Sequence, residues 1–176
     1  MNHLLKARRI SYFPSDLSSY QEIGVKYYSL VADGYQLVFG LTSLPMMSEN
    51  QLVFKVKLII RSRSNNFELL NNFTLKQLWN LVNQIEKHFD FSETEVNQDS
   101  EKSTLILENG TLQIEIQSKT TIVSKTKYII HNLLVTVVNS QTEFMKPFLG
   151  VKGTITFNEV SRFAFSMREV LTAFEI

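Results

Sequence analysis

The sequence contains no cysteine, which removes a disulfide framework, a thiolate metal site and a cysteine nucleophile at once. Proline and glycine are scarce, at three and six residues, and leave little material for an interdomain linker. Long apolar runs are missing as well. The longest uncharged stretches, such as Tyr128 to Thr142, are interrupted by Asn, His, Ser and Thr. They fall short of the roughly 20 apolar residues that span a bilayer. Nor is there an excess of charge of one sign. The formal net charge is +1, which excludes the strongly basic whole-domain footprint of a duplex-DNA binder.

What remains is globular material. The chain has 176 residues, 44% of them hydrophobic and 20% charged. A chain of that length folds as about one domain and buries roughly 70% of its unfolded surface, so it needs neither disulfide nor metal. Residues 1–9 (MNHLLKARR) carry charge, but no apolar run of signal-peptide length follows them. A cytoplasmic protein is therefore expected.

Residues 1–26 are weakly patterned, and Pro14 among serines reads as a loose arm. A single α+β domain is expected over 27–176, with one half at 27–90 and another at 104–176. Tyr27 to Ala32 and Tyr35 to Leu41 flank Asp33-Gly34, a hairpin signal because a type I′ turn needs positive φ at both central residues. Ser43 to Asn50, with Pro45 inside, reads as a loop. Gln51 to Arg63 alternates: Phe54, Val56, Leu58 and Ile60 on one face, Lys55, Lys57, Ile59, Arg61 and Arg63 on the other. Leu75, Leu78, Val82, Ile85 and Phe89 recur at helical spacing and predict a helix over 74–89. Thr74 with Gln77 fits a capping box, and Phe73 with Leu78 a hydrophobic staple. Residues 90–103 read as a polar, acidic loop.

The second half repeats this layout. Thr104 to Glu108 and Thr111 to Gln117 flank Asn109-Gly110, a second type I′ signal. Lys127 to Val138 reads as a long strand and Gly153 to Phe157 as a short one. Asn158 would cap a last helix whose inner face is Val160, Phe163, Ala164, Met167, Leu171 and Phe174. The expected fold is α+β: two antiparallel β blocks, each followed by an amphipathic helix, as a pseudo-repeat. Leu78, Val82, Ile85, Phe163, Met167 and Leu171 should be buried.

Chemistry-bearing patterns are few. Phosphate-binding loops, zinc-protease helices and serine-hydrolase elbows are all missing. His3, His88 and His131 lie far apart in sequence and read as structural or solvated. Glu93, Glu95, Asp99 and Glu101 fall in a polar stretch with no apolar surround to shift a carboxyl group. No catalytic residue, cofactor or metal is expected. Charge, however, is segregated. Residues 50–85 carry a net +4, residues 86–115 a net −6 and residues 116–152 a net +4. Lys55, Lys57, Arg61 and Arg63 form one candidate partner-binding patch, and Glu93, Glu95, Asp99 and Glu101 the other.

Phe67-Glu68-Leu69-Leu70, Phe73 to Ile85 with Trp79, Leu105 to Ile116 and Thr154 to Phe174 together resemble WapI-like bacterial immunity proteins, over about residues 50–176. That resemblance implies a toxin domain as partner, neutralised by contact alone. Phe144 to Pro147 and Gly150 to Asn158 resemble the strand–loop–strand–helix of Whirly and positive-cofactor-four-like proteins. That second resemblance implies single-stranded nucleic acid as partner, held by a basic and aromatic sheet face. Lys55, Lys57, Arg61 and Arg63 supply the basic half, with Ile59 alone between them. The expected function is non-enzymatic protein binding, as a toxin-neutralising immunity protein, with single-stranded nucleic-acid binding as the alternative. No membrane association is expected.

Overall fold

The computed structural model describes residues 24–42, 44–63, 66–94, 101–108, 112–138 and 148–175. Strand β1 (Val25–Ala32) opens the first sheet, taking in the last two residues of the expected arm. It folds back on β2 (Tyr35–Thr42) through Asp33-Gly34, where Gly34 takes φ +92° at no steric cost. β2 pairs with β4 (Gln51–Ser62), and the short β3 (Met46–Ser48) extends its line along the start of β4. β5 (Asn66–Thr74) runs along the other side of β4 and completes a five-stranded antiparallel sheet A. Neither β3 nor the full length of β5 is visible in the alternation: β3 is three residues beside a proline, and β5 interleaves Asn and Glu with Leu and Phe.

Helix α1 (Leu75–Thr94) follows directly. Its capping box is formed on both sides: the Gln77 amide donates to Thr74 Oγ1 at 3.2 Å, and the Thr74 amide donates to Gln77 Oε1 at 2.9 Å. The helix runs five residues beyond Phe89, into the stretch expected to be loop. Sheet B comprises β6 (Glu101–Glu108), β7 (Leu112–Val123), β8 (Thr126–Val138) and β9 (Phe148–Ile155), antiparallel in that order. β7 is six residues longer than the alternation through Gln117 indicates. It turns into β8 at Ser124 and Lys125, both at positive φ without glycine. Helix α2 (Phe157–Thr172) closes the chain. Its N-cap is Thr156, not Asn158: the Thr156 hydroxyl accepts from the Glu159 amide at 3.3 Å, while Asn158 already lies inside the helix.

The two helices lie across each other's sheets. The C-terminal part of α1 rests on β6, and α2 rests against β1. Phe163 of α2 meets Phe39 of β2 at 5.2 Å between ring centroids, and Phe174 meets Phe54 of β4 edge-on at 5.1 Å. Arg168 of α2 forks onto Glu86 of α1, Nε donating to Oε1 at 3.1 Å and Nη2 to Oε2, and its guanidinium lies over the Trp79 ring. One core runs through both sheets and both helices, and Leu78, Val82, Ile85, Phe163, Met167 and Leu171 are all buried in it.

The sheets meet at one corner. The Asp33 amide in the β1–β2 turn donates to the Thr154 carbonyl of β9 at 2.8 Å, and the Tyr35 hydroxyl donates to the Leu133 carbonyl of β8 at 2.7 Å. Gly153 is glycine because a Cβ there would collide with the Asp33 carbonyl oxygen and press on the Tyr35 ring. These observations make the protein α+β with two antiparallel sheets and two helices among its described residues.

Candidate nucleic-acid interface

Period-two alternation gives each sheet a core face and an outer face. On the outer face of sheet A stand Lys55, Lys57 and Arg61, with Arg63 just past the end of β4. Lys57 Nζ pairs with Glu68 Oε2 of β5 at 3.2 Å. Between these cations the face is withdrawn from water. Ile59 and Val38 sit directly opposite each other in register, and both are fully buried although they stand outside the main core cluster. Gln36 beside them is buried too. Lys55 is exposed, Lys57 and Arg61 are half-buried, and the four cations thus rim a covered strip rather than lining an open platform.

The acidic group is not assembled by any described contact. Glu101 is the exposed first residue of β6. Glu93 lies in the last turn of α1, and Glu95 and Asp99 lie outside the described residues.

The open face is the outer side of sheet B. Leu105, Glu115, Leu134 and Lys152 form one cross-strand row, and Ser103, Gln117, Asn132 and Thr154 the next. Glu101, Lys119 and Ile130 continue it, then Thr121 and Tyr128. None of these residues is buried. Strands about 4.8 Å apart make the face roughly 14 Å wide over four strands. A polar chain crosses it: Ser103 Oγ donates to Glu115 Oε1, Gln117 Nε2 donates to the same oxygen at 2.9 Å, and Lys152 Nζ donates to Gln117 Oε1 at 3.4 Å. The Glu115 carboxylate is thereby occupied by donors of its own face, while Thr154, Lys119 and Tyr128 are exposed and Asn132 is half-buried. The face combines amide and hydroxyl groups, two cations, the carboxylates of Glu101, Glu108 and Glu115, and an exposed aromatic ring. Such a surface can hydrogen-bond base edges, meet phosphates and stack a base.

Behind it, on the core face, lies a second polar array that sequence spacing did not expose. His88 of α1 joins two strands: Nδ1 is 2.7 Å from Thr104 Oγ1 of β6, and Nε2 is 2.6 Å from Ser118 Oγ of β7. Ser118 Oγ is also 2.5 Å from His131 Nδ1 of β8. With both rings neutral, the Ser118 hydroxyl donates to one and accepts from the other, so a single oxygen joins the two rings. Burial holds both imidazoles neutral. It lowers the pKa of His88 to about 4, helped by the charge of Lys102 and by His131, and it lowers that of His131. Phe89 seals the array, edge-on to His131 at 4.8 Å and to Phe157 at 5.3 Å. The array docks α1 on sheet B. Its polar members could be recognised only with the register of β7 and β8, where Ser118 and His131 are direct partners.

Among the described residues, no group of three or more His, Asp or Glu gathers to hold a metal ion. No helix among them is long and apolar enough to cross a membrane. No family model, curated protein or solved structure matches the chain.

Proposed function

We propose that the chain is a non-enzymatic, cytoplasmic binder of single-stranded nucleic acid that uses the outer face of sheet B. The observation that carries this reading is the composition of that open face: Lys119 and Lys152 for phosphates, Asn132 and Thr154 for base edges, and Tyr128 with Ile130 for stacking and apolar contact. None of these groups needs a cofactor or a reactive centre. The succession of a β block and a helix, then another β block and helix, supports a pseudo-repeat of Whirly-like architecture. Helices that cross to the opposite sheet add to that support. With one exposed aromatic ring among the described side chains of the face, phosphate contacts supply most of the affinity, and binding depends steeply on salt.

Fluorescence anisotropy with a labelled 20-nucleotide single strand tests the reading. Binding at low salt, with log affinity falling linearly against log salt, is the expected result. Lys119→Ala with Lys152→Ala should lower that slope by roughly 1.4, about 0.7 for each phosphate contact on a single strand. Absence of binding at low salt refutes it.

A second reading, a protein partner such as a toxin domain neutralised by contact, is favoured by one separate feature. Leu44, 84% exposed, stands with the exposed Met46 and Met47 beside the β3–β4 hairpin. Methionines adapt readily to a partner's surface. Co-purification with, and protection against, a co-expressed toxin would select this reading over the first.

A further inference from the structure

Strands β7 and β8 outrun their neighbours. The pairing of β6 with β7 ends at Lys119, and that of β9 with β8 ends at His131. Beyond them, among the described residues, β7 and β8 pair only with each other: Thr120 with Ile129 at the still buried base, then Thr121 with Tyr128, Ile122 with Lys127, and Val123 with Thr126. At about 3.3 Å per residue, this two-stranded ribbon reaches roughly 13 Å past the sheet. Ser124 and Lys125, at φ 51° and 67°, close it in a two-residue turn that keeps the tip narrow. Val123 is 54% exposed and Tyr128 53%, with Ile122 comparably open on the other side of the ribbon. Its charge is of one sign: Lys125 and Lys127 are present and no Asp or Glu lies within it, while Lys119 at its base stands opposite Glu101.

A narrow ribbon with only positive charge and an apolar tip fits a polyanion that has a groove. The major groove of a duplex, about 12 Å wide, admits a two-stranded ribbon, whose apolar side chains can meet thymine methyl groups while its lysines meet the flanking phosphates. The outer side of the ribbon runs without a break into the open face of sheet B through Tyr128, Ile130 and Lys119. A strand leaving a duplex held by the ribbon would pass directly onto that face. Building on the single-strand reading above, we infer that the β7–β8 ribbon is a duplex-gripping arm and that the preferred ligand is a junction between duplex and single-stranded nucleic acid.

The test compares three labelled oligonucleotides at low salt: the single strand, a blunt duplex, and the same duplex carrying that single strand as a tail. The tailed duplex should bind about tenfold more tightly than either part. Lys125→Asn with Lys127→Gln removes two charges, and Asn tolerates the positive φ at the turn. This double variant should bind the single strand as wild type does and lose the preference for the tailed duplex. Its salt slope on that ligand should fall by about 1.8. An unchanged melting temperature is the folding control, and Lys125→Asn alone, at an exposed turn position, should show half the change in slope if the double variant melts early. Equal binding of the single strand and the tailed duplex by wild type overturns the arm and leaves the single-strand reading standing. Failure to bind any of the three overturns both. Displacement of the tailed duplex by polyglutamate at equal charge, as effective as displacement by the duplex itself, would assign the ribbon to an acidic protein and also overturn the inference.

Discussion

His88 is a titratable side chain held where water does not follow. Its pKa is lowered from 6.5 to about 4, first by burial and then by the neighbouring charge of Lys102 and by His131. The unfolded chain therefore takes up this proton at a higher pH than the native chain does. Stability linked to His88 is fully present above pH 6.5 and is lost as the pH falls from 6.5 toward 4. Below that both states are protonated and the effect levels off. The shift corresponds to on the order of 3 kcal/mol across the whole window, about 2 kcal/mol of it by pH 5, and His131 acts in the same direction. Urea unfolding at pH 7 and pH 5 should show this loss, and His88→Gln should flatten it. A slope that survives the substitution unchanged would locate the acid sensitivity elsewhere. The residue also shows a limit of sequence reading. A histidine beside Phe89 near a helix end looks like a dipole partner facing water. Its burial depends on Thr104 and Ser118, 16 and 30 residues away, and these become its neighbours only when β6 and β7 are in register.

The elements differ in how plainly the chain announces them. α1 carries its start in Thr74 and Gln77 and its inner face in Leu78, Val82 and Ile85, all legible because a helix is governed by neighbours within four residues. Thr74→Ala should cost about 1 kcal/mol through loss of the bond to the Gln77 amide, seen as a lower urea midpoint with an unchanged m-value. The Arg168–Glu86 pair between the helices is about 40% exposed at both ends, so it contributes less than the cap despite its forked geometry. Strands were legible where one side faces the core and the turn contains glycine, as around Asp33-Gly34. The β3–β4 and β7–β8 turns rest on Glu49, Asn50, Ser124 and Lys125 at positive φ, and three of these four types rarely adopt it. The extension of β7 past Gln117 was hidden for the same reason, and with it the ribbon and much of the open face. The cationic patch was legible as alternation along β4, but the burial of Ile59 was not, because Val38, buried directly opposite it, lies 21 positions away.

At the scale of the whole molecule, neither half completes its own core. Phe39 and Phe54 of sheet A are met by Phe163 and Phe174 from the far end of the chain, while α1, which leaves sheet A, anchors on sheet B. Interlocked packing of this kind predicts a single cooperative transition. The corner where the sheets meet provides a direct reading of it. A hairpin-turn amide ordinarily exchanges its hydrogen with solvent within moments, since nothing but water accepts from it. The Asp33 amide is instead spent on the Thr154 carbonyl, 121 residues along the chain, at 2.8 Å. Its deuterium uptake becomes a clock for the parting of the two sheets. If the halves separate only on global unfolding, Asp33 should exchange as slowly as Leu37 and Val135 in the strand interiors, with the same dependence on denaturant. Gly153→Ala, which forces β9 away from that turn, should free the Asp33 amide well before the strand amides respond.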